Sequence, residues 1–307
     1  MGCADSRPLK IEAEEVILGP FENSLGYTSF NSIELDNTFH RYSRKGFMTI
    51  KHLNQALELL RLPYSQFSDF YELFEKSHST NDYEKLYSTD LLKTLCLLLS
   101  KATNQQKILI LFKNYDIEAS KVIDKRTVLI MIHNIFLVAL EIIPSYCNSK
   151  NPSSKILQDY ILNLDKNKKK IMTQIYKEIT KGNSTLKYED FKKNCLNGSV
   201  QDLFSAKLLR KYIAESNKIK KFKPKNDDIS EYFDDSDDDI DIDVLLDEAL
   251  MKNDETTRHI NSINQYKINI AKALVDKKIH ESDNAKTTER NSRNSKKVDR
   301  LEKGGVH

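Results

Sequence analysis

The stretch "NYDIEASKVIDKRTVLIMI", Asn114 to Ile132, carries oxygen-bearing side chains at alternate positions, Asp116, Glu118 and Ser120, then the apolar pair Val122 and Ile123, then a run of large aliphatics. Alternating oxygen donors are the spacing with which a chain wraps a hard cation. The aliphatics that follow read as a helix buried on most of its surface. Whether the stretch still holds an ion, or keeps only the bend, is the question on which the rest of the chain turns.

Counted from Asp116 as position one of a twelve-residue cation loop, Glu118, Ser120 and Asp124 fall at three, five and nine, and the carbonyl of Val122 at seven. Lys121 then stands where the bend calls for glycine, and it brings positive charge toward an ion. Thr127 stands at twelve, where a glutamate would give two oxygens. The shape is good and the ligands are thin. Asp116, Glu118, Ser120, Val122 and Asp124 are the candidate metal ligands, and calcium is expected to bind them weakly.

The layout recurs. Phe112 and Tyr115 precede this loop, and Phe39 and Tyr42 precede "KGFMTIKHL", where Gly46 marks the bend and no carboxylate is present. In "KLYSTDLL" Leu86 takes position eight and Asp90 position twelve, with Ser79, Asn81 and Tyr83 as weak ligands ahead of them. In "STLKYEDF" Leu186 takes eight and Asp190 twelve. The units span roughly 33–62, 67–99, 105–141 and 168–195, and regular recurrence of one supersecondary unit weighs more than any single match.

On these phrases the chain resembles the EF-hand superfamily, in an arrangement similar to the neuronal calcium sensor and calcineurin B type group. The resemblance implies an all-α fold of two paired lobes, residues 25–100 and 101–200, with short loop-pairing strands that set Ile123 beside Leu186. It also implies an apolar groove that grips a target helix. The other reading is an unrelated helical bundle joined by polar turns, which helical periodicity alone admits.

The N-terminus, "MGCADSR", matches the N-myristoylation pattern through Gly2 and Ser6, and Cys3 beside it offers a palmitoylation site. One myristoyl chain binds bilayers marginally, at about 10⁴ per molar, whereas two chains anchor stably. Residues 1–24 are thus expected to be a lipidated segment that holds the chain at the cytoplasmic face of a membrane. The four cysteines, Cys3, Cys96, Cys147 and Cys195, form no CxxC pair and read as reduced thiols. The longest apolar run, from Val128, includes His133, Asn134 and Glu141, falls short of a bilayer span and reads as a core helix.

The net charge of +3 conceals segregated blocks. "KIKKFKPK" from Lys218 is basic, "DDISEYFDDSDDDIDIDVLLDEALMKNDE" is acidic, and "ERNSRNSKKVDRLEK" is basic again. Residues 201–307 are therefore read as a charged, largely disordered tail with helical patches. Val244, Leu245, Leu246, Ala249 and Leu250 carry helical spacing suited to a partner's groove or the molecule's own.

No phosphate loop, HExxH, GxSxG or paired-cysteine motif is present, so an enzyme is not expected, and no nucleic-acid partner is implied. Two functions stand. One is a membrane-anchored regulatory adaptor, with weak calcium binding mainly at the third loop. The other is a structural protein-interaction scaffold that keeps the geometry and has lost the ion.

Overall fold

Good helix formers dominate the chain. The computed structural model describes residues 13–76, 85–219 and 242–252, and these are mostly helical with small antiparallel strand pairings. In chain order they form α1 (Gly19–Ser24), α2 (Ser32–Tyr42), β1 (Phe47–Thr49), α3 (Ile50–Leu59), α4 (Ser68–Tyr71), β2 (Glu75–Lys76), β3 (Leu86–Ser88) and α5 (Thr89–Leu99). These are followed by α6 (Asn104–Tyr115), β4 (Val122–Asp124), α7 (Lys125–Phe136), α8 (Ile143–Lys150), α9 (Lys155–Thr180), β5 (Thr185–Lys187), α10 (Tyr188–Cys195), α11 (Ala206–Ile219) and α12 (Ile242–Lys252). Gly2, Cys3, Ser79, Asn81, Tyr83, most of the acidic block and the last basic block lie outside the described residues.

β1 runs antiparallel to β3 with Met48 opposite Tyr87, and β4 runs antiparallel to β5 with Ile123 opposite Leu186. β2 pairs with the other edge of β3. The four central residues are buried while their strand neighbours are half-buried or exposed, which is the period-two alternation of strands with one face on a core. The ladders extend past the strands: Thr89 N donates to Gly46 O at 2.9 Å, Tyr188 N to Lys121 O at 3.1 Å and Lys125 N to Ser184 O at 2.9 Å.

The second unit differs from its sequence reading by one residue. Tyr87, not Leu86, faces the core opposite Met48, and a one-residue shift turns a strand over. The helix caps agree with the shifted count. Thr49, Ser88 and Asp124 each follow the central strand residue by one, and each accepts a hydrogen bond from the backbone N–H three residues on, at His52, Leu91 and Thr127. Leu91 thus occupies the place assigned from the sequence to Asp90.

The apolar run from Val128 lies in one continuous helix, Lys125–Lys150, comprising α7, a π-helical turn at Leu137–Ile142, and α8. It is 26 residues long, enough by length and composition to cross a membrane, and 89% of its most apolar window is buried against the rest of the protein. Pro144 explains the π turn. Proline has no N–H and its ring clashes with the carbonyl four residues back, so the helix widens and Ile143 N donates to Val138 O. Ala139 O then has neither its α-helical partner nor a π-helical one.

The segment assigned to the tail from residue 201 begins inside the fold. Leu203, Phe204, Ala206, Leu209, Arg210 and Ile213 are all buried, and α11 packs on α9 and the π turn. The fourth unit's entering helix, α9, starts at its Ser154 cap, well before the boundary at 168 that the sequence suggests. Further on, α12 packs on α7, with Ile242 fully buried.

Candidate functional site

The loop from Asp116 to Thr127 joins α6 to α7 through β4. Its bend is built from the backbone outward: Ala119 and Lys121 take left-handed conformations, φ 52° and 61°, which cost a side-chain-bearing residue about 1–2 kcal/mol each. Hydrogen bonds to Asp116 offset that cost. Its Oδ1 accepts from Ser120 N and Ser120 Oγ, both at 2.9 Å, and its Oδ2 accepts from Lys121 N at 2.8 Å. Partial desolvation works to raise the Asp116 carboxyl, and these donors outweigh it, holding the group below the usual carboxylate range.

The remaining candidate ligands are spread along the loop. The Ser120 hydroxyl lies 2.9 Å from both Asp116 Oδ1 and Val122 O, and its single proton serves one of them at a time. Asp124 caps α7, its Oδ1 accepting from Thr127 N at 2.7 Å. Glu118 is exposed. A calcium ion takes six to eight oxygens, a bidentate carboxylate among them. This set supplies Asp116, Glu118, Ser120, Asp124 and the Val122 carbonyl, with Thr127 at position twelve in place of a bidentate glutamate, so its ligands are thin for the ion. Among the described residues, no group of three or more His, Cys, Asp or Glu side chains is arranged to hold a metal.

A second polar centre escapes the sequence reading. Arg210 of α11 is fully buried and forks onto Glu14, with Nη2 to Oε2 at 3.0 Å and a second, Nε contact to Oε1. Nη2 also donates to Glu22 Oε1 at 2.7 Å, and Nη1 to the orphaned Ala139 O at 3.1 Å. Tyr160 OH donates to Glu14 Oε1 at 2.8 Å. Burial raises the Glu22 carboxyl, opposed chiefly by the Arg210 charge and its hydrogen bond. A signal for the arginine is present in the sequence: Ala206, Arg210 and Ile213 share one helical stripe, so Arg210 points inward.

Lys107 is a second buried cation. It is 5% exposed and donates to Phe204 O at 2.8 Å and Leu98 O at 3.4 Å, at the carboxyl ends of two helical segments. His133 is buried on α7, and Cys96, Cys147 and Cys195 are buried free thiols that burial pushes up. Such thiols are packing residues, since reactivity requires an accessible thiolate. Comparison with known protein families, with curated sequences and with solved structures found no match.

Proposed function

We propose that the chain is a membrane-tethered interaction scaffold in which paired EF-hand-like bends serve as rigid joints rather than as calcium sites. The observation that carries this reading is the state of the third loop. It keeps the strand pairing of Ile123 with Leu186, and Asp116 and Asp124 accept hydrogen bonds from the backbone N–H groups of Ser120, Lys121 and Thr127. The partner is an amphipathic helix. In support, α12, with its helically spaced leucines, packs on α7, the kind of contact a target helix makes in a groove. The tether rests on Gly2 and Cys3, whose two acyl chains suffice for stable anchoring.

Calorimetry on the full chain tests the joint against the sensor. Wild type is expected to give no heat at millimolar calcium. Lys121→Gly/Thr127→Glu, which restores the bend residue and the bidentate carboxylate, is expected to bind with Kd of about 10⁻⁵–10⁻³ M. Wild-type heat abolished by Asp116→Ala would establish the calcium-responsive adaptor instead. A silent restored variant would remove the EF-hand geometry altogether. For the tether, Gly2→Ala should move the protein from membrane to cytosol in cell imaging, and an unchanged distribution counts against acylation.

A further inference from the structure

The loop of the first unit is cationic. Beside β1 lies an open cavity of about 420 Å³ lined by Arg44 and Lys45 from the turn before the strand and by Lys51 and His52 from the start of α3. Phe47 and Leu86 supply apolar wall, and among the described residues no carboxylate lines it. The Lys76 ammonium stands 4.2 Å from the Phe47 ring centroid, adding positive charge at the border. On the adjoining segment Glu72 and Glu75 each pair with Lys85 at 3.1 Å. Among the described residues Arg44, Lys45 and Lys51 make no ion pair.

This arrangement opposes folding locally. Like charges gathered in one cavity repel. The first turn of α3 carries Lys51 and His52 and no acid, so the positive end of the helix dipole adds to the field of these cations. A local conflict of this kind, without internal compensation among the described residues, marks a place whose partner comes from outside.

We propose that the cavity binds a polyphosphorylated small anion of inositol-phosphate size. Arg44 grips a phosphate through its planar fork, and Lys45 and Lys51 act as point charges. The volume lies in the range of small-molecule sites. The anion can be a lipid headgroup or a soluble molecule. Only the lipid source depends on the membrane tether.

The test uses the full chain produced without acylation, so the anchor contributes nothing. One arm measures calorimetric binding of inositol trisphosphate. The other measures cosedimentation with phosphatidylcholine vesicles with and without phosphatidylinositol bisphosphate. Binding in either arm is expected to fall about a hundredfold in Arg44→Gln/Lys45→Asn/Lys51→Gln, at about fivefold per cation removed. It should hold in Lys166→Gln/Lys187→Gln/Lys193→Gln, which removes equal charge from exposed positions elsewhere. Binding to vesicles and headgroup together assigns the lipid, and binding of the soluble anion alone assigns a soluble ligand. Wild-type binding in neither arm, or equal loss in the control variant, overturns the proposal.

Discussion

At the scale of single residues, Lys107 shows most directly how burial becomes a measurable property. Its ammonium is satisfied by two carbonyls and, among the described residues, by no carboxylate, so burial brings the amine down to about 8 from 10.5. Below pH 8 both folded and unfolded chains are charged there, and the folded state bears the whole cost of a buried cation. Between pH 8 and 10.5 the unfolded chain keeps a proton that the folded chain has released, so stability rises with pH. Denaturant unfolding of wild type and Lys107→Met across this window isolates the effect from tyrosine and cysteine titrations. The wild type should gain about 2 kcal/mol on the variant between pH 8 and 10, because each tenfold difference in proton affinity between the two states is worth about 1.4 kcal/mol. Curves that stay parallel would mean the amine is not desolvated as the geometry indicates.

At the scale of elements, short strands depend on which of two neighbouring residues faces inward. Truncating Tyr87 to alanine should cost about 3–5 kcal/mol, the range for a large buried ring, and truncating half-buried Leu86 about 1 kcal/mol or less. The reverse order in thermal or urea unfolding would restore the register read from the sequence. That register is legible where one apolar residue stands between polar ones, as at Leu186, or where the loop count fixes the phase, as at Ile123. It is illegible in "KLYSTDLL", because two adjacent large apolar residues satisfy either phase, and the choice falls to Met48 on a strand far away in sequence. The third loop is legible for the same reason it is weak in ligands: Asp116, Lys121 and Thr127 state their chemistry locally. The cationic cavity is not, since Leu86 comes to Lys51 only through the pairing of β1 with β3.

At the scale of the whole molecule, one side chain joins parts of the chain far apart in sequence. Glu14 and Glu22 near the N-terminus meet Arg210, 196 and 188 residues later, and Arg210 also completes the helix that Pro144 distorts. Helical spacing shows that Arg210 is inward, but no local pattern shows which carboxylates await it. Arg210→Met leaves two carboxylates buried without their cation and should destabilise the protein by about 3–5 kcal/mol. The pH dependence separates this cause from lost packing. The Glu22 carboxyl is already raised by desolvation against the pull of Arg210, so the folded chain holds a proton the unfolded chain gives up, and stability falls as pH climbs above 4.5. Removing Arg210 takes away the attraction that opposes desolvation at Glu22, so its carboxyl rises further and that fall deepens. The deficit of the variant should therefore be smaller near pH 4 than at pH 7, and adding Glu14→Gln and Glu22→Gln should return most of it. A deficit of equal size at both pH values would place the role of Arg210 in its bulk and not in its charge.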